Sequence, residues 1–90
     1  MAYLRAIIKG RVQGVGFRFF VFDLALRYGL KGVVRNLWEG GVEVEVDGQE
    51  NELRDFLREL KKGPPLAKIK KVQTEWSENN KGFDEFQITS

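Results

Sequence analysis

The stretch from Gly10 to Arg18 combines residues that are able to bind an anion. It reads GRVQGVGFR and joins an alternating apolar segment, typical of a strand, to a segment with helical apolar periodicity. Glycine permits a positive φ and lets a ligand approach the backbone, while a helix start leaves unpaired N–H groups at a partly positive end. The sequence therefore predicts an anion cradle at this turn. Its predicted binding residues are Gly14, Val15, Gly16, Phe17 and Arg18.

The arginine at position 18 favours phosphate as the anion that this turn binds. A cation in the first helical turn opposes the helix dipole, so this arginine is favourable there if a bound anion lies between the two. The planar guanidinium carries paired donors and a permanent charge, which suit a tetrahedral oxyanion. The alternative is an ordinary strand–turn–helix junction with a surface arginine, since short glycine motifs also occur by chance.

The residue types that are missing restrict the chemistry. The sequence has no His and no Cys, which excludes phosphohistidine, phosphocysteine and thiolate–zinc chemistry. Glu43, Glu45 and Asp47 alternate along one segment, and such carboxylates usually form the solvated face of a strand rather than a metal site. We therefore expect no metal and no cofactor. The available groups are Arg, Lys, Asn, Ser, Thr, carboxylates and backbone amides.

Composition favours a single small domain that spans residues 1–90. Hydrophobic residues make up 42% of the chain, and the net charge of +2 arises from interleaved signs without a basic stripe, so we expect no nucleic-acid partner. No apolar run reaches the ~18 residues of a membrane span, and the first residues do not resemble a signal peptide. We expect a cytoplasmic monomer, and abundant Lys and Glu weakly favour a thermophilic source.

The remaining pattern predicts the order β α β β α β with a short extra strand. Gly29 and the segment 63–65 (Gly-Pro-Pro) mark the helix ends, and Lys70-Lys71 interrupts a strand where a bulge is expected. The predicted strands lie at about 3–12, 31–38, 42–48, 69–76 and 83–89, and the predicted helices at about 17–28 and 50–62.

This order is typical of a ferredoxin-like α/β sandwich, an α+β fold with two helices on one face of a mostly antiparallel sheet. In that topology the first two strands run parallel with the third between them. Their ends then lie at the same edge of the sheet, about 10 Å apart at two strand spacings. The cradle follows the first strand and Asn36 lies near the end of the second, so the fold should bring Asn36 towards Arg18.

No obvious covalent nucleophile accompanies the cradle, which leaves water. Asn36 can orient a water molecule through its amide but is too weak a base to deprotonate it. The substrate must therefore be activated already, and an acyl phosphate fits because its carboxylate leaving group needs no proton near neutral pH. A phosphate monoester fits poorly, because its alkoxide would need a general acid and none is apparent.

Two motifs resemble the signatures of the acylphosphatase family. Residues 10–18 resemble the first, and the segment from Gly32 to Asn36, continuing through Gly40 and Val42 to Gly48, resembles the second. The resemblance covers the whole chain and implies a small, metal-free hydrolase of carboxyl-phosphate bonds. It implies that Arg18 binds the phosphate and Asn36 orients the attacking water. We expect inorganic phosphate to be the product and, by binding to the predicted cradle, an inhibitor. Val33 stands where the family usually has an aromatic residue.

Two other classes of protein stay open from the sequence. Residues 14–20 loosely resemble the glycine–aromatic motif of RNA-recognition domains, which share this topology. In those domains the motif lies on a central strand, whereas here it opens a helix whose apolar stripe includes Phe17 and Phe20. The third possibility is a ligand-sensing or carbamoyl-phosphate-handling domain without turnover.

Overall fold

The structure, a computed structural model, describes residues 1–89. The order of its helices and strands is the predicted one. Its elements are β1 (Ala2–Arg11), α1 (Phe17–Tyr28), β2 (Lys31–Asn36), β3 (Val42–Gly48), α2 (Glu50–Lys62), β4 (Lys68–Ser77) and β5 (Phe86–Thr89). Two boundaries differ from the predictions by more than one residue: β2 ends two residues earlier than residue 38, and β5 begins three residues later than residue 83.

The five strands form one mixed sheet in the order β4-β1-β3-β2-β5. The pairs β1–β3 and β2–β3 are antiparallel, so β1 and β2 run parallel on either side of β3, as the sequence predicted. β4 pairs antiparallel with β1, and β5 pairs parallel with β2. The predicted bulge is present, because Lys9 lies opposite Lys71 while Gly10 lies opposite Ile69, which leaves Lys70 as the extra residue.

Both helices pack on the same face of the sheet and enclose the core. Alternate residues of β1 and β3 point towards them, and the α2 stripe of Leu53, Phe56 and Leu60 is fully buried. Tyr28 at the end of α1 meets the Phe56 ring edge-to-face at 6.3 Å, which joins the two helices. Neither helix in residues 1–89 is long and apolar enough to cross a membrane.

The opposite face of the sheet is less solvated than the sequence indicated. The expectation of a wet face was wrong for Glu43, which is only 3% exposed. Cross-strand arginines cover it: Arg5 Nε donates to Glu43 Oε2 at 2.6 Å, and Arg35 of β2 forms an ion pair with Oε1. The hydrogen bond to Glu43 raises the pKa of Arg5. Glu43 thus joins β1 and β2 across β3 by charge-assisted contacts.

Asp47 is the second buried carboxylate on that face, at 4% exposure. It accepts hydrogen bonds from three consecutive backbone N–H groups, those of Lys81, Gly82 and Phe83, at 2.7, 2.8 and 3.0 Å. These bonds attach the loop before β5 to the sheet. Tyr3 donates to Glu45 at 2.6 Å, and burial together with this bond raises the pKa of the tyrosine.

Candidate active site

The turn between β1 and α1 requires glycine for its backbone conformation. Gly14 and Gly16 each have φ 76°, and Gly16 is the left-handed residue that precedes α1. A Cβ added to either residue would find no atom within 4 Å, so crowding is not the reason for glycine. A residue with a side chain would instead be held in the left-handed region at a cost of about 1–2 kcal/mol.

The N-terminus of α1 leaves several amides available to a ligand. Its first helical hydrogen bond runs from Phe20 N to Gly16 O at 3.0 Å, so the N–H groups of Phe17, Arg18 and Phe19 have no helical carbonyl to bond. Within the described residues, Gly16 provides no side-chain cap and the first turn has no acidic residue. The Phe19 amide was not among the binding groups predicted from the sequence, although a helix that begins at residue 17 implies it.

Arg18 and Asn36 line one cavity of about 190 Å³ at this helix end. The topology inferred from the sequence therefore brings together the two side chains proposed for chemistry. The remaining lining residues come from the turn and the start of α1: Val12, Gly14, Gly16, Phe17 and Phe19. Val15, also predicted for the cradle, does not line this cavity, and its side chain packs against the core.

Asn36 is placed by the strand pairing. Val42 of β3 lies opposite Ile8 of β1 on one side and opposite Asn36 of β2 on the other. Asn36 is the last residue of β2, because Leu37 N already donates to Gly41 O at 2.9 Å in the hairpin turn. Its half-buried side-chain amide has no hydrogen-bond partner among residues 1–89 and can bind a water or a ligand.

Arg18 is a half-buried cation without a counter-charge in the described part of the chain, where no carboxylate lies within 4.0 Å of it. Arg35 differs, since it forms an ion pair with the buried Glu43, which offsets its positive charge. Of these two arginines, Arg18 is the one available to bind an added anion. Its permanent charge and the amides of α1 together form a positive concave site.

A second, wider groove of about 630 Å³ adjoins this cavity at Asn36. Trp38, which is fully exposed, lines the groove, and Phe19, on the cavity side, is 67% exposed. Gln13, for which the sequence predicted no role, also lines the groove. No group of three or more His, Cys, Asp or Glu side chains within residues 1–89 is placed to hold a metal ion.

Fold and site together define a small α/β sandwich with a positively charged cavity at a helix N-terminus. Residues 4–88 match the family model described as Acylphosphatase. The acylphosphatase of Bacillus pumilus is 46% identical over 88 residues, which cover 98% of each chain. That of Thermus thermophilus is 47% identical over 85 residues, which cover 92% of this chain and 97% of the relative.

A solved structure of this family has the same fold. The crystal structure of acylphosphatase from Bacillus subtilis superimposes with a TM-score of 0.96 at 39% identity, with both chains covered completely. The chain belongs to the acylphosphatase family. The resemblance and the ferredoxin-like fold predicted from the sequence are thereby confirmed, and family and fold support acyl phosphate hydrolysis as the general class of reaction.

Proposed function

We propose that this protein hydrolyses the carboxyl-phosphate bond of acyl phosphates to a carboxylate and inorganic phosphate. The proposal is based on one observation: Arg18, Asn36 and the N-terminus of α1, whose first amides have no helical hydrogen bond, line the same cavity. Such a cavity offers a permanent cation, backbone donors and a neutral side-chain amide. It can bind a phosphoryl group and a water molecule at the same time.

In the proposed reaction, the amides of residues 14–18, together with that of Phe19, and the guanidinium of Arg18 hold the phosphoryl oxygens. Asn36 orients a water molecule for attack on phosphorus, opposite the leaving group. The new P–O bond forms as the bond to the acyl oxygen breaks, and the carboxylate leaves with that electron pair. A phosphoryl oxygen takes the proton of the water. Arg18 and the amides stabilise the charge that develops on the equatorial oxygens.

The burial of Phe17 favours this function over RNA binding. Its ring is only 1% exposed and lies 5.7 Å from the ring of Phe20, which also packs against the core. Aromatic residues that stack on bases must present a ring face to the ligand. Phe17 and Phe20 of this motif therefore serve as core side chains at a helix start, which suits the proposed cradle, and only Phe19 among its aromatic residues is exposed.

We further propose that residues 1–90 act as one such domain, as a cytoplasmic monomer that uses no metal and has no nucleic-acid or membrane partner. The matched residues 4–88 support the extent of the domain, and the interleaved charges support the lack of a nucleic-acid partner. The thermophilic source stays a prediction from composition.

The function is tested by phosphate release from acetyl phosphate and benzoyl phosphate, with p-nitrophenyl phosphate as the monoester comparison. We expect turnover of both acyl phosphates well above their spontaneous hydrolysis and little release from the monoester, whose leaving group lacks a general acid. A parallel titration with single-stranded RNA should show no binding. Phosphate binding without turnover would instead indicate a non-catalytic phosphate-binding module, and tight RNA binding would indicate an RNA-binding module.

Removal of metals is expected to leave the activity unchanged. The reason is that Arg18 and the backbone amides supply the positive charge that a metal ion would otherwise provide at a phosphoryl group. The measurement is kcat/KM for acetyl phosphate after exhaustive dialysis against EDTA, compared with an untreated sample. Loss of turnover that returns on addition of magnesium or zinc would contradict the proposed mechanism.

A further inference from the structure

The side chain of Gln13 connects the anion cradle to the hairpin that follows Asn36. Its Nε2 group donates one hydrogen bond to Leu37 O at 2.9 Å and a second to Gly41 O at 2.8 Å. A glutamine amide has two N–H donors, and both are used here. Since both partners are carbonyl acceptors, only the NH₂ group of the amide can occupy this position.

The two carbonyls flank the turn between β2 and β3. Leu37 directly follows Asn36, Gly41 directly precedes Val42, and the turn is closed by the bonds from Leu37 N to Gly41 O and from Gly40 N to Leu37 O. Gln13 itself directly precedes Gly14, the first residue of the cradle. One side chain therefore connects the two segments that carry the proposed phosphate site and the proposed water site.

The sheet itself does not make this connection. β1 ends at Arg11 and β2 at Asn36, and β3 lies between them, so no backbone ladder joins the cradle to the end of β2. Arg35, the residue before Asn36 in β2, forms an ion pair with Glu43 of β3, but this contact lies on the other face of the sheet. On the side of the cradle, Gln13 provides the direct hydrogen bonds to the hairpin.

We propose that Gln13 is a positioning residue that sets the distance between the phosphate cradle and the water-orienting amide of Asn36. This inference rests on the proposed function for its effect on turnover. The attacking water must lie in line with the bond that breaks, and a displacement of about 1 Å can reduce a rate by about 100-fold. Loss of the Gln13 bridge should therefore lower kcat more than it weakens phosphate binding.

Two variants separate the donor role of Gln13 from its size. Gln13→Met has a similar length and no N–H donor, so we expect kcat for acetyl phosphate to fall by about 10-fold or more while the Ki of inorganic phosphate changes by no more than a few-fold. Gln13→Glu has nearly the same shape, but at neutral pH its carboxylate has no donor and faces two carbonyl oxygens. We expect a loss at least as large for this variant at pH 7.

The pH profile gives a readout that a merely structural role would not change. Carbonyl neighbours disfavour the charged carboxylate, so the new glutamate should have a pKa above the usual 4.3 or so. On acidification it becomes a carboxylic acid with one O–H donor, which restores one of the two hydrogen bonds. The kcat of Gln13→Glu, relative to the parent at each pH, should therefore rise as the pH falls towards about 5, whereas that of Gln13→Met should stay flat.

The matched control is Gln73→Met, the same change at an exposed glutamine of β4, which should keep parental kcat and Ki. The inference is overturned if folded Gln13→Met keeps parental kcat. It is also overturned if kcat and phosphate affinity fall in parallel, or if Gln13→Glu shows no recovery on acidification.

A second measurement does not depend on turnover. In amide NMR spectra of the parent, titration with inorganic phosphate should shift the resonances of the cradle and also those of Gly40 and Gly41 in the hairpin. In Gln13→Met the cradle resonances should still shift while the hairpin resonances no longer do. Hairpin shifts that persist in the variant, or that are missing in the parent, overturn the inference. A parent without turnover refutes the proposed function separately, and the NMR result still decides the role of Gln13.

Discussion

Asn36→Ala is expected to reduce kcat for acetyl phosphate by about 100-fold or more, while the Ki of inorganic phosphate stays within a few-fold of the parent. In the proposed mechanism the phosphoryl group is held by Arg18 and the amides of α1, which this change leaves in place. The orientation of the attacking water is lost, and that interaction contributes only as the transition state is reached. Steady-state kinetics with phosphate as a competitive inhibitor measures both quantities.

The variant should remain folded. Asn36 is half-buried at the end of β2, and its side chain has no hydrogen-bond partner among residues 1–89, so truncation leaves no buried polar group unpaired. We expect a stability change of about 0.5 kcal/mol or less, measured by thermal melting. Asn51→Ala, an equal truncation on the exposed surface of α2, is the control for loss of an asparagine side chain.

Asn36→Asp distinguishes orientation of the water from deprotonation. Aspartate is the better base, but its carboxylate would lie in the same cavity as the negative substrate. If Asn36 only orients the water, this variant should also turn over slowly at neutral pH. Parental or higher turnover would favour general-base catalysis, and parental kcat in Asn36→Ala would show that the residue takes no part in the reaction.

Arg18→Ala is expected to abolish the stabilisation of the protein by phosphate. A ligand at a 100-fold excess over its Kd stabilises the folded state by about 2.7 kcal/mol, so the parent should melt at a clearly higher temperature in phosphate. Without the guanidinium, the amides of α1 alone should hold the anion much more weakly. Activity on acyl phosphates should fall with the binding, because in the proposed mechanism the same groups bind the ground state and stabilise the charge of the transition state.

In the absence of phosphate, Arg18→Ala should raise the free energy of unfolding instead of lowering it. A cation in the first turn opposes the helix dipole, so its removal should stabilise the free protein by about 0.3–1 kcal/mol. Arg27→Ala is the matched control, because it removes the same charge from the last turn of the same helix, where a cation is favourable. It should destabilise the protein slightly and keep the full response to phosphate. An unchanged phosphate response in Arg18→Ala would refute the assignment of Arg18.

Much of the fold and of the candidate site follows from preferences that act within a few residues of the sequence. Local burial explains the alternation of apolar residues in β3 and the apolar stripe of α2, because each element has one face to bury. The glycines at 14, 16 and 29 occur where the backbone is left-handed. The order of these elements then favoured one topology. Because β1 and β2 must run parallel around β3 in that topology, the sequence was sufficient to predict the proximity of Arg18 and Asn36.

Other features depended on contacts between residues that are distant in the chain. The alternating carboxylates of β3 look solvated in the sequence, but Glu43 is covered by arginines from both neighbouring strands and Asp47 by the loop before β5. Gln13 contacts carbonyls 24 and 28 residues away, and no local pattern marks a side chain for such partners. Periodicity within the sequence determines which face of an element is apolar. Only the packed sheet determines which polar groups meet, because their partners come from whichever strands and turns the fold places beside them.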